Sequence, residues 1–170
     1  TVAALRSAGA EVIEQQQLGD WRALFWRFAA AADAEVAVML SRDCDSRLSQ
    51  REAAAVQEWL ASAAAVHIMR DHPAHDRRML GGMWGVKAPC LRDITALLDG
   101  YQKGNYWQAD QEFLDEVIYP RVRKAALVHD AFYCGKPFPT ARQGWEFVGQ
   151  VYDENEMSDT QNERLLQAGP

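Results

Sequence analysis

Two aspartates follow an apolar run in the first third of the chain. Asp43 and Asp45 stand two positions apart, directly after residues 36–40, which read VAVML and are bounded by charged residues. Such a run predicts a β-strand buried on both faces. If the extended conformation persists, residues i and i+2 point the same way, and the two carboxylates offer oxygen ligands to one divalent cation. The alternative is a chance pair of acidic residues in a turn.

A histidine and a lysine follow a second apolar run near the other end of the chain. Residues 126–129 predict a strand that ends at His129, and Gly135 and Lys136 lie in the loop beyond it. An imidazole beside two carboxylates shifts metal preference from Mg²⁺ toward Mn²⁺. A lysine in such a loop is a point charge for a phosphate. The alternative is a structural histidine and a surface lysine.

Three of the four histidines, His67, His72 and His75, fall within nine residues. Their spacing lacks the helical i, i+4 placement of the zinc hydrolases, so a zinc site is the less favoured interpretation. We expect this cluster to form a polar lining for a hydroxyl-rich substrate, with His72 on the acceptor side.

A glycine-rich segment and a helix start complete the candidate residues. Gly81 and Gly82 precede Trp84 in a predicted strand, and glycines there indicate that a ligand or another backbone comes close. The ring of Trp84 offers a flat face on which a sugar could stack; a buried tryptophan at a tight corner is the alternative. Asp110 and Gln111 fall at a predicted helix start, where both could bind a substrate or Asp110 could serve as the N-cap.

The alternation of elements predicts an α/β fold, a mixed sheet flanked by helices. Ser49 and Glu52 form a capping box at the start of one helix. We expect one domain over residues 1–152 and a loose polar tail over 153–170. The predicted strands cover residues 11–13, 36–40, 66–69, 81–86 and 126–129; the predicted helices cover residues 1–7, a segment capped by Asp20, and residues 50–60, 89–103, 110–118 and 163–167.

Composition excludes several classes of protein. The net charge is −6, which argues against binding nucleic acid or an anionic membrane by bulk charge. With 48% hydrophobic residues the chain has enough apolar surface to fold, and it lacks an apolar run long enough for a membrane span. The three cysteines lie far apart and the start lacks a secretion pattern, so we expect a cytoplasmic protein with reduced thiols.

The order of these motifs resembles the GT-A-fold, metal-dependent glycosyltransferases, in particular the glycogenin and bacterial lipopolysaccharide galactosyltransferase group. The shared order is Asp-x-Asp after a strand, a Gly-Gly strand, an Asp-Gln helix start, and a late His with Gly-Lys-Pro. Residues 42–59 and 67–75 are also similar to bacterial glycosyltransferase-like proteins. The resemblance spans about residues 20–154.

The resemblance implies transfer of a sugar from a nucleotide-sugar donor, here expected to be a UDP-sugar, to a hydroxyl of a carbohydrate or other acceptor. It implies Mn²⁺ (or Mg²⁺) as cofactor. The implied roles are metal binding by Asp43, Asp45 and His129, donor binding by Arg42, Gly135 and Lys136, catalysis by Asp110, and acceptor binding by His72, Trp84 and Gln111.

The chain departs from the family pattern at two points. Its late glycine stands directly before Lys136, and only 42 residues precede Asp43. We therefore expect the first, base-binding strand to be missing, so that the chain is a fragment or binds its donor poorly. Two alternatives follow: a scaffold that self-associates through an open sheet edge, and a metal-dependent phosphoester hydrolase built on the two aspartates and the histidine cluster.

Overall fold

The computed structural model describes residues 1–16 and 19–168, and a four-stranded mixed sheet lies at its centre. The strand order is β1-β3-β2-β4, with β3 antiparallel to β1 and β2, and β2 parallel to β4. Strands β1, β2 and β4 therefore all run in one direction, and the predicted α/β class with a mixed sheet and flanking helices is confirmed. The strands are β1 (Val38–Ser41), β2 (Val66–Arg70), β3 (Trp84–Lys87) and β4 (Ala126–Asp130).

Helices of several kinds surround the sheet. The α-helices are α1 (Val2–Ser7), α2 (Gln50–Ala61), α3 (Ile94–Gly100), α4 (Ala109–Phe113), α5 (Tyr119–Val122) and α6 (Thr160–Ala168). The others are 3₁₀ helices at Trp21–Ala32, Ala88–Leu91 and Arg123–Ala125 and a π-helix at Leu114–Ile118. Helix α2 begins where the capping box predicts, because the Ser49 hydroxyl accepts the Glu52 N–H at 3.1 Å.

The two faces of the sheet carry different clusters because successive side chains of a strand point to opposite faces. On the first face, Val66 and Ile68 join a core that includes Phe28 of the long 3₁₀ helix and Phe113 of α4. On the second face, Met69 packs with Ala55 of α2. The buried apolar side chains of the sheet thus divide between two helical layers.

Several predicted elements differ from the structure. The helix predicted over residues 89–103 is a 3₁₀ helix at Ala88–Leu91 followed by α3, and the strand predicted over residues 81–86 begins only at Trp84. Residues 11–13 form no strand, and Ile13 is 75% exposed, because an extended segment is stabilised only when its backbone finds a partner. The helix predicted to end near Ile118 continues to Val122. Pro120 has no N–H to donate to a carbonyl one turn earlier, and the π-helical turn immediately before it accommodates that missing hydrogen bond.

A buried carboxylate at the end of β2 joins three segments. Asp71 is fully buried and accepts two hydrogen bonds from Arg51 of α2, at 2.8 and 2.9 Å. It also accepts from Arg142 Nη2 at 2.7 Å and from the Val148 N–H at 3.0 Å. Because a buried charge is tolerated only when it is paired and fully hydrogen-bonded, Asp71 fixes where α2 and residues 142–148 meet the sheet.

We predict that Asp71→Asn lowers the free energy of unfolding by about 3 kcal/mol, because it leaves Arg51 and Arg142 partly buried without a countercharge. Urea unfolding followed by tryptophan fluorescence measures the loss. Asp76→Asn, a change of the same chemistry at an exposed position of the same loop, is the matched control and should change stability by less than about 0.5 kcal/mol. Equal midpoints for the two variants would refute the assigned role of Asp71.

Candidate functional site

The carboxyl ends of the three parallel strands meet at one edge of the sheet, where ligands bind in open α/β sheets. Asp43 follows β1, and the loop with His75 follows β2. The Gly81–Gly82 segment enters β3 at this same edge. A cavity of about 310 Å³ opens there, and its lining includes Asp43, His75, both glycines and Asp110.

Arg27 joins two carboxylates in this cavity. Its Nη1 pairs with Asp43 Oδ1, and its Nη2 lies 3.0 Å from Asp110 Oδ2. The guanidinium is held in place because Nε donates to the Leu24 carbonyl within the long 3₁₀ helix, at 3.0 Å. The Arg27 guanidinium therefore connects the long 3₁₀ helix with the turn after β1 and with the start of α4. Asp110, at the start of α4, lies 83 positions further along the chain than Arg27.

The two carboxylates differ in exposure. The side chain of Asp43 is 50% exposed and that of Asp110 only 3%. Burial raises the pKa of Asp110, while the charge of Arg27 acts in the opposite direction. Asp43 is thus the carboxylate that a bound molecule meets first, and Asp110 lies beneath it as a fixed, desolvated acceptor.

The glycine pair makes room for both carboxylates. A Cβ built on Gly81 would contact Asp110 Oδ2, and one built on Gly82 would contact Asp43 Oδ2 and lie 2.9 Å from the Asp43 nitrogen. The sequence predicts that a ligand or another backbone comes close at these glycines; in the structure the two carboxylates and the Asp43 nitrogen do so.

Aromatic and amide side chains form the rim of the cavity. Trp21 and Trp107 both line it and are 49% and 68% exposed. Gln108 and Gln111 line it as well. Hydrogen-bonding groups in the depth of a cavity and flat apolar faces at its mouth are a combination suited to a hydroxyl-rich ligand.

His75 forms part of the same wall. Its Nδ1 accepts the Asp71 N–H at 3.0 Å, which connects the cavity to the buried Asp71 cluster. Burial, and then the neighbouring His72 and Arg142, lower the pKa of His75 to about 3. The imidazole is therefore neutral at neutral pH and serves as an acceptor.

Of the residues proposed for the site from the sequence, the structure brings Asp43, Asp110 and Gln111 into one cavity. Arg27 is the functional candidate that sequence reasoning missed. Only its position in the sequence could have indicated this role. Arg27 lies between Leu24 and Phe28 on a helix whose apolar side is buried, and a charged residue next to a buried face indicates a buried partner.

His129 lies on the other face of the sheet. Its Nδ1 is 2.8 Å from His67 Nε2, and its Nε2 is 3.7 Å from Glu58 of α2. Asp43 instead contacts Arg27 of the opposite helical layer, and β1 and β4 are the two edge strands, about 14 Å apart at three strand spacings. The expectation that His129 meets Asp43 and Asp45 at one cation is thus corrected: the sheet separates them.

The predicted metal set is therefore not assembled. Asp43 is occupied by Arg27, while Asp45 lies in an exposed turn. Within residues 1–16 and 19–168, no three His, Cys, Asp or Glu side chains are grouped so as to hold a metal ion. The described residues do not fit the Mn²⁺ site implied by the resemblance.

The predicted donor-binding residues make structural contacts instead. Lys136 pairs with Glu58 of α2. Arg42 pairs with Glu52 of the same helix and donates to the Trp84 carbonyl at 3.1 Å. Gly135 permits a close backbone approach, since its Cβ would lie 2.8 Å from the Val128 oxygen. None of the three predicted residues (Arg42, Gly135 and Lys136) is among the residues that line the cavity.

The two predicted acceptor-binding rings are buried. His72 is 1% exposed, accepts the Ala74 N–H at 3.0 Å, and bonds to the Asn162 carbonyl at 2.9 Å. Trp84 has no exposed surface and packs edge-on against Phe28, with ring centroids 5.5 Å apart. Neither ring presents a face to an acceptor, so the structural interpretation of both residues replaces the functional one.

We predict that Gly82→Ala destabilises the fold by about 1–3 kcal/mol, because the new methyl group must displace the Asp43 carboxylate and backbone. Thermal unfolding measures the change. Gly100→Ala is the matched control, since its Cβ would meet nothing within 4 Å and alanine is the better helix former. Equal stability of the two variants would contradict the close approach of Asp43 to Gly82.

We predict that acid destabilises the protein partly through His75. Below its ordinary pKa of 6.5 the unfolded chain gains a proton at this residue, whereas the folded chain gains it only near pH 3. The contribution of His75 to stability is therefore full above about pH 6.5 and falls by about 1.4 kcal/mol per pH unit between pH 6.5 and about 3. Asn places an amide oxygen near the position of Nδ1, so His75→Asn keeps the acceptor for the Asp71 N–H and removes the titration.

Urea unfolding at pH 7 and pH 5 tests this prediction. The wild type should lose about 2 kcal/mol more than His75→Asn between the two values. All other ionisable side chains are present in both proteins, so their contributions cancel in the difference. Identical losses would mean that the His75 imidazole is not buried in its neutral form.

Comparison with known proteins adds no relative. The chain matches no family model, no curated protein and no solved structure. None of the helices in the described part of the chain combines the length and the apolar character needed to cross a bilayer.

Proposed function

We propose that the cavity at the carboxyl edge of the sheet binds the sugar of a nucleotide-sugar donor. The protein would then transfer that sugar to a hydroxyl acceptor, as a glycosyltransferase-like protein. The observation that carries the proposal is the arrangement of Arg27 between Asp43 and Asp110 against the Gly81–Gly82 backbone. Asp43, Asp110 and Gln111, which the family resemblance selects independently, line this same cavity.

The chemistry of the cavity suits a sugar. A pyranose presents hydroxyl groups that both donate and accept hydrogen bonds, and apolar C–H faces. Carboxylates accept such bonds and a guanidinium donates them. The exposed rings of Trp21 and Trp107 supply flat surfaces at the mouth. At about 310 Å³ the cavity is at the small end of ligand pockets, which fits one sugar ring with the nucleotide outside.

Three side chains have distinct roles in this proposal. Asp43 is half exposed and reaches the incoming ring, while Arg27 orients both carboxylates. Asp110, desolvated and fixed by Arg27, is the catalytic candidate. In the transfer, the acceptor oxygen bonds to the anomeric carbon, the bond from that carbon to the diphosphate oxygen breaks so that the nucleoside diphosphate leaves with the bonding electrons, and the acceptor proton passes to bulk water. Preorganised polar groups of this kind lower the barrier by holding the reacting ring in one orientation.

A second candidate function is sugar binding without transfer. It is favoured by His129 and Lys136, which lie with Glu58 on the α2 side of the sheet, apart from the cavity. The diphosphate would then lack the groups that the resemblance assigns to it. The edge strand β1 also exposes Val38 and Leu40, by 38% and 43%, and self-association through this edge stays a prediction.

We predict that UDP-glucose or UDP-galactose raises the thermal midpoint of the wild type, because a ligand that binds only the native state stabilises it. Asp110→Asn should weaken this binding by about tenfold, since an unpaired buried partner costs on the order of 1–3 kcal/mol. Asp99→Asn, an exposed change away from the cavity, should bind as the wild type does. Titrations are run with and without Mn²⁺, which tests the predicted cofactor in the same experiment.

Release of UDP in the presence of the donor and simple sugar acceptors separates the two functions. Binding with UDP release that Asp110→Asn abolishes supports the transferase. Binding without UDP release supports the second candidate. Binding of no UDP-sugar, or equal binding by both aspartate variants, would refute the assignment of this cavity to a UDP-sugar.

A further inference from the structure

We propose that residues 142–168 form a positioning strap: docking of α6 holds the turn that carries Asp43 and Asp45 and thereby sets the affinity of the cavity for its ligand. The identity of the ligand depends on the proposed function, whereas the mechanical coupling between the strap and the turn does not. The sequence predicts a loose polar tail for the last part of this segment, and the structure instead docks it on the domain.

The strap contacts the aspartate turn directly. The Tyr152 N–H donates to the Asp45 carbonyl at 2.8 Å, and Ser46 and Val151 form an antiparallel bridge. Glu156 accepts two hydrogen bonds from Arg47, at 2.9 and 3.1 Å. That ion pair is exposed and contributes little, so the backbone contacts of Tyr152 and Val151 carry the attachment.

The strap is also a wall of the cavity. Gly149 and Val151 both line it. Gly149 has φ +84°, a conformation that favours glycine, and a Cβ there would lie 2.5 Å from the sulfur of Met83. The strap therefore packs directly against Met83, in the segment that follows the glycine pair. The distance between the strap and Met83 thus affects the volume that a ligand can occupy.

Two sets of contacts anchor the strap. Near its start, Arg142 and the Val148 N–H bond to the buried Asp71. At its end, α6 is held by the His72 bond to the Asn162 carbonyl and by Leu166, which is 7% exposed and is the buried residue of this helix. Residues 149–152, which touch the turn, lie between these two anchors.

The coupling follows from what holds the turn. The turn is closed internally by the Ser46 hydroxyl, which donates to the Asp43 carbonyl at 2.9 Å, and residues 43–45 are otherwise exposed. Tyr152 and Val151 attach residues 45 and 46 to the strap, and Arg27 holds the Asp43 carboxylate on the other side. Loosening α6 frees the attachment at residues 45 and 46 and leaves Asp43 held by its half-exposed pair with Arg27, so that the position of Asp43 relative to Asp110 becomes less fixed. Such coupling is reciprocal, so a bound ligand should also protect α6.

Leu166→Ala tests the strap, with Leu165→Ala as the matched control, since the neighbouring leucine is 43% exposed. Hydrogen exchange of the ligand-free protein is followed by mass spectrometry in peptides covering residues 43–47 and 150–153. We expect exchange in both peptides to rise by about tenfold in Leu166→Ala and to stay unchanged in Leu165→Ala. The affinity for UDP-galactose should fall by about fivefold or more in Leu166→Ala alone.

His72→Phe is the second variant. It preserves an aromatic ring against Phe147, whose ring centroid lies 4.5 Å from that of His72 in the structure. It removes the hydrogen bond to the Asn162 carbonyl. Ile118→Val, a core change remote from the strap, controls for a general loss of stability. We expect His72→Phe to reproduce the increased exchange at residues 43–47 and Ile118→Val to leave it unchanged.

The outcomes separate this proposal from the proposed function. Faster exchange in the turn peptide, in a protein that binds no UDP-sugar, supports the strap and refutes the ligand. Unchanged exchange at residues 43–47 while the α6 peptide exchanges faster overturns the strap. Equal affinity of Leu166→Ala and the wild type for UDP-galactose, despite faster exchange in the turn, overturns the link between the strap and the cavity.

Discussion

The candidate site depends on one guanidinium held between two carboxylates. Arg27 and Asp110 are largely removed from water, and a desolvated charge is tolerated only when a countercharge and hydrogen bonds replace the lost hydration. This requirement brings three segments together: the long 3₁₀ helix that carries Arg27, the turn after β1 that carries Asp43, and the start of α4. It also explains the glycine pair, since any side chain at position 81 or 82 would occupy the volume of a carboxylate.

A second buried carboxylate supports the same edge of the sheet from behind. The Asp71 carboxylate accepts hydrogen bonds from Arg51, Arg142 and the Val148 N–H. The Asp71 N–H donates to His75 of the cavity wall. The two clusters are thus linked through one neutral imidazole. Polar networks in which every member has a partner specify a single arrangement, because an alternative packing leaves some buried group unsatisfied. The Asp71 cluster thus connects the cavity wall that carries His75 with the first part of the strap.

Local signals in the sequence predict much of the fold. The capping box at Ser49 sets the start of α2, and the apolar runs before Asp43 and up to His129 mark two of the four strands. Local signals fail where the outcome depends on a distant partner. Residues 11–13 have the composition of a strand but form none, and Pro120 lies within a helix because a π-helical turn accommodates it. Likewise, Arg27 carries no local motif, since its role is defined by residues far along the chain.

The candidate metal set shows most clearly where order along the chain is insufficient. Asp43 and His129 both lie near the carboxyl ends of parallel strands, as the motif order requires. Successive side chains of a strand point to opposite faces of the sheet, however, so the exact position of each residue in its strand decides the face on which its side chain lies. In β2 and β4 the register pairs Met69 with His129, and Met69 packs with Ala55 of α2. The imidazole is therefore directed toward α2, while Asp43 turns toward the 3₁₀ helix. A shift of one residue within β4 would place the imidazole on the other face of the sheet. The spacing between motifs along the chain does not determine which of the two faces a side chain occupies. The three predicted residues that do line one cavity, Asp43, Asp110 and Gln111, lie in a turn and at a helix start, where the alternation of strand side chains does not separate them.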